Sequence, residues 1–249
     1  MPCLNLPLFV LEKFGDTRYA VGGELVAVQD GLPRIFAIAP ACMPESLGDK
    51  MFCETHRLRY PCYAGSMAHG IASIKLLISM ADAGMLSFFG SAGLSIEKLC
   101  DTIKILQTQM PDKPFGVNLI NSPQHKAWER AAVDLFIQHQ VKLIEASAYI
   151  FPTSPLVKFR VTGLQQDSQG QIIAPNKVIA KVSRSEIARS FLEPPPEKLL
   201  KKLVDAGEIS QEEARLAGHI PLAEDITAEA DSGGHTDHRA ALTLLPALQ

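Results

Sequence analysis

The chain has 249 residues, of which 47% are hydrophobic and 20% charged, with a formal net charge of −3. These values exclude a disordered chain and leave no basic excess that would attract nucleic acid or an anionic membrane. No signal peptide or membrane-length apolar run is present, so we predict a cytoplasmic protein with one sizeable core. Its five scattered cysteines match no zinc or redox motif and are predicted to be thiols in a reducing cytosol.

The start of the chain is predicted to be rich in β-structure. Two apolar runs flank Gly15-Asp16 in LPLFVLEKFGDTRYAVGG, which is a hairpin signal, and a similar pattern surrounds Asp30-Gly31. Proline and glycine residues then break the pattern. We therefore expect a β-rich N-terminal segment at residues 1–50 and a main domain at residues 51–249.

From Leu58 onward, short apolar strands alternate with amphipathic helices. We interpret LRYPCYAGSM, MLSFFGSAG, KPFGVNLINSP and VKLIEASAYI as strands, and SIKLLISMADAG, SIEKLCDTIKILQTQM and HKAWERAAVDLFIQHQ as the helices between them. The repeat of about thirty residues is typical of βα units with parallel strands and crossover helices. In such α/β folds, the carboxyl ends of the strands carry the active site.

The second half of the chain is predicted to be less regular. Residues 157–176 are interpreted as an excursion with a hairpin around Ser168–Gly170, followed by a fifth strand in KVIAKVS. A helical pair is inserted at residues 193–220, where it could serve as a lid. A sixth strand lies in LAEDITAEADSGGHTD. Six strands are two fewer than a TIM (β/α)8 barrel needs for closure, so we expect a barrel truncated after about six strands.

The segment YAGSMAHG, residues 63–70, combines small residues with one soft apolar side chain. Gly65 lets another group approach the backbone, and Met67 offers an apolar surface, so this loop could lie against a flat ring. An ordinary tight turn with a hydrogen-bonded His69 explains the same residues.

Three polar residues interrupt the apolar strands. Asn118 needs hydrogen-bond partners, and either the edge of a heterocycle or neighbouring backbone groups would supply them. Glu145 and Lys181 occupy two buried strands, where a charge is costly unless it is paired or functional. Pairing of these two side chains with each other is one alternative to a functional role.

The stretch AEADSGGHTDH, residues 228–238, places titratable side chains beside flexible backbone at the end of the sixth strand. Glu229 and Asp231 have the spacing of residues on one strand face. Gly233-Gly234 suits a backbone nest for an anion or a ring oxygen. His235 follows and is suited to proton transfer near neutral pH, whereas a metal site with His238 has no obvious third ligand.

Six motifs, in this order, resemble one family. They are similar to the enoyl reductase subunit of bacterial polyunsaturated fatty acid synthases: YAGSMAHGIAS, FFGSAGLS, FGVNLINSP, LIEASAY, AKVSR and AEDITAEADSGGHTD. That subunit is close to the trans-acting enoyl reductases of polyketide synthases. Its wider relatives are the nitronate monooxygenases and the flavin-dependent enoyl-acyl-carrier-protein reductases.

The resemblance implies a TIM barrel that binds FMN at the carboxyl ends of its strands, uses NADPH and reduces an enoyl thioester carried by an acyl carrier protein. His235 would be the catalytic acid/base or substrate-orienting residue. No metal is implied, whereas acyl carrier protein domains and other synthase subunits are the implied partners. Separately, a six-strand barrel would expose two strand edges, so we expect the chain to pair with a second copy, to recruit its missing portion or to aggregate. The implied FMN contacts are Ala64, Gly65, Ser66, Met67, Ala68, Gly90, Asn118, Glu145, Lys181, Asp231, Gly233 and Gly234.

The sequence departs from the family in two places. Narrower relatives have Glu-Ala-Gly-Gly-His, whereas Asp231-Ser232 intervenes here and leaves the register of Glu229 open. The family's two glycine-rich turns for the FMN phosphate follow strands seven and eight, so we expect an N-terminal portion of a longer protein. Two alternatives remain open: a nitronate monooxygenase-like flavin oxidase, and a non-catalytic fragment that only binds synthase partners. The insertion at 193–220 favours the synthase branch.

Overall fold

The computed structural model describes residues 4–23, 26–27, 31–230 and 240–248. The chain divides into two compact units, Met1–Cys62 and Tyr63–Gln249. No helix in the described part of the chain is long and apolar enough to cross a membrane.

The first unit is built around a three-stranded antiparallel sheet. Its strands are β1 (Leu8–Lys13), β2 (Asp16–Val21) and β3 (Arg34–Ala39), in the order β2-β1-β3, and α1 (Lys50–His56) follows. Gly15 has a φ of +84°, which allows the tight β1–β2 turn that the sequence predicted. β3 pairs with β1. The predicted hairpin around Asp30-Gly31 lies partly outside the described residues.

The second unit contains a sheet of six parallel strands with helices between them. The strands lie in chain order across the sheet and are β4 (Tyr63–Ala64), β5 (Leu86–Phe89), β6 (Gly116–Ile120), β7 (Leu143–Ser147), β10 (Lys177–Val182) and β11 (Asp225–Ala228). A short hairpin, β8 (Gln165–Gln166) and β9 (Ile172–Ile173), forms a separate two-stranded sheet. The helices are α2 (Ile74–Asp82), α3 (Ile96–Gln109), α4 (Lys126–Gln138), α5 (Ser154–Val161), α6 (Ser185–Leu192), α7 (Glu197–Asp205), α8 (Gln211–Ala217) and α9 (Ala241–Leu248).

The helices and strands of this unit follow the local sequence signals. The four central strands, β5, β6, β7 and β10, are almost fully buried, as expected for parallel strands that are covered on both faces. Ser95 accepts a hydrogen bond from the backbone N–H of Lys98 and so begins α3 as predicted. Ser210 and Glu213 form a reciprocal capping box at the start of α8. The core lies between the outer face of the sheet and the helices, with Phe136, Phe159 and Phe191 fully or almost fully buried.

The sheet is strongly curled. The hydroxyl groups of Tyr63 in β4 and Thr227 in β11 are hydrogen-bonded, although these strands lie at opposite edges of the sheet. Six flat strands would hold the edge strands about 24 Å apart, at about 4.8 Å per step, which is too far for this contact. The second unit is therefore a six-stranded half-barrel, which confirms the predicted fold class.

Two details of the second half differ from the sequence-based expectation. The segment interpreted as an excursion begins within α5. Residues of this helix are buried on nearly all sides, so α5 lacks the polar stripe that marks a surface helix. The helices α7 and α8 connect the end of α6 to the beginning of β11, and both pack against α5. This connection lies at the amino ends of the strands, so the interpretation of 193–220 as a lid over the carboxyl ends is wrong.

Candidate active site

A cluster of polar side chains lies inside the half-barrel towards the carboxyl ends of the strands. Glu145 of β7 is in register with Ile179 of β10, and Lys181 lies two residues further on, so Glu145 and Lys181 share the inner face of the sheet. Lys181 is in turn opposite Thr227 of β11. The curl brings the side chain of Tyr63 from β4 into the same group.

Glu145 anchors the loop that follows β4. Its Oε2 atom accepts hydrogen bonds from the backbone N–H of Ser66, at 3.0 Å, and from the Ser66 hydroxyl. Its Oε1 atom is buried and has no hydrogen-bond donor among the described residues. Burial raises the pKa of Glu145 above its usual range; the Glu229 carboxylate adds to this shift, while Lys181 and the Ser66 hydrogen bonds oppose it.

Lys181 is paired with Glu229 rather than with Glu145. The distance from Lys181 Nζ to Glu229 Oε1 is 3.1 Å, and both side chains are largely buried. Glu145 makes its contacts with Ser66 instead, so the direct Glu145–Lys181 ion pair considered from the sequence is not formed. The cation is therefore held in place by a residue just beyond β11, which ties the fifth and sixth parallel strands together.

Asn118 is occupied by neighbouring protein groups. Its amide Nδ2 donates to the backbone oxygen of Glu145 at 3.1 Å and to the Ser147 hydroxyl at 2.8 Å. Its own backbone oxygen accepts from the Ser91 hydroxyl at 2.5 Å. Both hydrogens of the Asn118 side-chain amide are thus bonded to neighbouring protein groups, which is one of the two alternatives that the sequence left open.

The β4–α2 loop lies directly against the end of β5. A Cβ atom at Gly90 would be 1.5 Å from the carbonyl oxygen of Met67, so only glycine fits at this position. The backbone N–H of His69 donates to the carbonyl oxygen of Ala92 at 2.8 Å, which holds the loop further. Ala64 lies at the end of β4, while Met67 and Ala68 are exposed beyond it. The close approach at Gly90 is thus made by protein backbone.

Tyr63 is a member of the cluster that the sequence analysis did not single out. Its ring packs edge-on against Phe88, with 5.5 Å between ring centroids, and its hydroxyl meets Thr227. Burial, followed by the neighbouring carboxylates, raises the pKa of Tyr63 well above its usual range, so the phenol is neutral. A tyrosine within a buried strand needs a partner for its hydroxyl, and that requirement was the available signal.

Four predicted site residues lie outside the described residues: Asp231, Gly233, Gly234 and His235. His238, the weak metal alternative, lies there as well. Within the described part of the chain, no group of three or more histidine, cysteine, aspartate or glutamate residues could hold a metal ion.

Comparison with known proteins relates the chain to synthase components. No family model matches it. It is 43% identical over 209 residues to a polyunsaturated fatty acid synthase component of Thraustochytrium sp., covering 84% of this chain and 14% of that protein. It is 42% identical over 205 residues to the polyketide biosynthesis protein PksE of Bacillus subtilis, covering 82% of this chain and 27% of that protein. The chain thus spans roughly a quarter or less of these curated relatives.

A solved structure shares both the fold and a substantial part of the sequence. The enoyl reductase domain of MlnA, from the macrolactin biosynthesis cluster of Bacillus amyloliquefaciens, matches with a TM-score of 0.78 and 38% identity. The match covers 82% of this chain and 46% of that domain. The chain is therefore similar, along most of its length, to components of polyunsaturated fatty acid and polyketide synthesis and to an enoyl reductase domain of known structure.

Proposed function

We propose that this chain is part of an FMN-dependent enoyl reductase that uses NADPH to reduce enoyl thioesters on acyl carrier protein domains. The observation that carries the proposal is the similarity to the MlnA enoyl reductase domain along most of the chain. The curated relatives, which belong to polyunsaturated fatty acid and polyketide synthesis, support a synthase setting. Other synthase subunits and a second copy of the chain are further proposed partners.

The arrangement at the carboxyl ends of the strands fits a flat, polar-edged cofactor such as FMN. Gly65 leaves open the space beside Glu145 Oε1, whereas a larger residue would fill it. Met67, two residues after Gly65 in the same loop, is 44% exposed and offers an apolar surface of the kind that packs on an aromatic ring. The orphaned oxygen of Glu145 and the fixed cation of Lys181 supply polar groups for the ring edge.

FMN, when bound, would supply the hydride-transfer chemistry. The chain's own residues would bind and orient the reactants around it. The loop from Ala64 to Ala68 would support the ring, and Lys181 would favour any edge of a ligand that carries negative charge. Asn118 and Gly90 would act indirectly, because their contacts hold β7 and the β4–α2 loop in place. His235, with Asp231 and Gly233-Gly234, stays the predicted source of proton transfer and further cofactor contacts.

The first experiment is the visible absorption spectrum of the purified chain, with mass spectrometry of any small molecule released on denaturation. We expect flavin bands and the mass of FMN, either directly or after addition of FMN. NADPH oxidation is then measured with crotonyl-CoA, and oxygen consumption without NADPH is measured with a nitronate. Turnover of the thioester but not of the nitronate is the expected result.

A matched pair of variants separates ring contact from general surface change. Met67→Lys places a charge on the proposed ring surface and should weaken FMN binding about tenfold, as expected for loss of roughly 1.5 kcal/mol of apolar contact. Met51→Lys makes the same change at an exposed methionine of α1 and should leave FMN affinity unchanged. A chain that stays colourless in excess FMN, or that oxidises nitronate in preference to thioester, contradicts the proposal.

A further inference from the structure

The carboxyl group of Glu145 has two oxygen atoms in very different surroundings. The residue is fully buried, yet both hydrogen bonds from Ser66 go to Oε2 and none reaches Oε1. An ionised carboxylate would leave a charged oxygen buried without a donor, which is unfavourable because nothing replaces its lost hydration. Buried polar atoms are nearly always satisfied, so this oxygen requires a physical explanation.

The orphaned oxygen faces the space above Gly65. A Cβ atom built at Gly65 would lie 3.3 Å from Glu145 Oε1 and 4.0 Å from Lys181 Nζ, so both groups border the same small region. The ammonium group has three N–H donors, and the pairing with Glu229 at 3.1 Å fixes its position without using all of them. Glycine at position 65 keeps this region open to a ligand.

The contacts of the carboxyl group match those of a neutral carboxylic acid. In that form Oε2 is the carbonyl oxygen that accepts the two hydrogen bonds, and Oε1 carries the proton that it can donate. Burial favours the neutral form by raising the pKa of Glu145. The charged groups facing it are Lys181, which opposes the shift, and Glu229, which adds to it. A carboxylic acid kept neutral by its site is an established kind of hydrogen-bond donor in catalysis.

We propose that Glu145, with its proton on Oε1, and Lys181 form a two-donor site above Gly65 for a carbonyl oxygen that gains negative charge during hydride transfer. Two preorganised donors in a buried site would stabilise that charge without reorganisation. The inference rests on the proposed function, which supplies two such oxygens: the thioester carbonyl of the substrate and a carbonyl of the flavin ring. Both are carbonyl oxygens that accept hydrogen bonds, and the two donors suit either of them.

The first test is infrared spectroscopy of the native full-length chain without added cofactor. A protonated carboxylic acid has a C=O stretch well separated from the bands of carboxylates. We expect such a band at neutral pH and its loss in Glu145→Gln. Glu129→Gln is the matched control, because Glu129 is another buried carboxyl group that accepts two hydroxyl hydrogen bonds, from Tyr149 and Thr153. Absence of a Glu145-dependent band at neutral pH would overturn the inference.

The second test compares two substitutions at the same position. Glu145→Leu removes the donor and should lower kcat with crotonyl-CoA by about 10²-fold or more, as for loss of one donor to a developing oxyanion. Glu145→Gln keeps an N–H donor and should be impaired by no more than about tenfold, because a hydrogen bond is weakened but not lost. Native activity should fall as pH rises through the Glu145 pKa, and this decline should be missing in the glutamine variant. Equal impairment of both variants would contradict a donor role.

The effects of Glu145→Leu on flavin and on crotonyl-CoA show which of the two molecules supplies the carbonyl oxygen. A changed FMN dissociation constant or reduction potential, with crotonyl-CoA affinity unaltered, assigns the site to the flavin carbonyl. An altered crotonyl-CoA affinity or kcat, with the flavin properties unaltered, assigns it to the thioester. No change in any of these quantities refutes the site. If the native chain binds no flavin, the proposed function fails alone, since the infrared band and crotonyl-CoA affinity are measurable without it.

Discussion

Replacement of Arg160 by methionine should destabilise the fold strongly, although the residue lies away from the polar cluster. Arg160 is 2% exposed. Its guanidinium donates to the backbone oxygen of Pro221 at 3.1 Å, to that of Asn176 at 2.7 Å, and to Glu224 Oε1 at 2.8 Å. Methionine keeps most of the apolar stem but leaves one carboxylate and two carbonyl oxygens without this donor.

The expected loss follows from these contacts. Removing one partner of a buried ion pair costs about 3–5 kcal/mol, and Glu224, whose side chain is 21% exposed, can recover part of this through water. We therefore expect about 3 kcal/mol overall, which for a chain of this size corresponds to a Tm lower by roughly 6–12 °C. Urea unfolding followed by circular dichroism gives the free energy directly.

A surface pair provides the control for this experiment. Arg215 and Glu212 are joined at 2.7 Å, but both side chains are more than half exposed, so Arg215→Met should leave the urea midpoint almost unchanged. A loss below about 1 kcal/mol in Arg160→Met, or equal losses in the two variants, would refute the argument that burial makes the first pair costly to break.

Three further predictions concern the half-barrel itself. Gly90→Ala should cost about 1–3 kcal/mol by thermal unfolding, since its Cβ would overlap a backbone carbonyl, whereas Gly218→Ala, with the nearest atom at 3.4 Å, should be neutral. A Gly218→Ala variant that loses as much stability as Gly90→Ala, or more, would refute the packing argument. Tyr63→Phe should cost about 1 kcal/mol in urea unfolding, because it removes the hydroxyl contact with Thr227 and keeps the ring; an unchanged midpoint would mean that the contact contributes nothing. The raised pKa of Glu145 means that the folded state binds more protons than the unfolded state above the ordinary glutamate pKa. Stability should therefore fall with rising pH through that window, less steeply in Glu145→Gln, as measured by urea unfolding at several pH values.

The alternation of strands and helices could be predicted from the sequence because both local signals are strong there. The strands of the half-barrel are continuous apolar runs, and Ser95 marks the start of a helix with an apolar stripe. Helix α5 was missed for the opposite reason. Leu156, Val157 and Phe159 are all buried, so neighbouring positions are apolar and no helical period is visible.

The site could be predicted only as a set of residue types. Glu145 and Lys181 stand out because a charge in an apolar strand is costly, and a charged residue within an apolar run is visible from the sequence alone. Their actual partners, Ser66 and Glu229, lie 79 and 48 positions away along the chain, and only the curl of the sheet determines which pairs meet. Tyr63 was missed because its partner belongs to the opposite edge strand. The chemical character of the site could therefore be inferred from local sequence, whereas the pairing of its side chains depended on the curl of the sheet.

The sixth parallel strand connects fold stability to the proposed chemistry. Arg160 holds the segment that leads into β11. The Thr227 hydroxyl within that strand is hydrogen-bonded to Tyr63 of β4. Glu229, directly after the strand, forms the ion pair with Lys181. A shift at the beginning of β11 would therefore move the cation away from the space above Gly65 without touching any ligand. Arg160→Met should accordingly weaken FMN binding even at temperatures where the variant is fully folded. Unchanged FMN affinity in the folded variant would mean that the cluster is positioned by β10 alone.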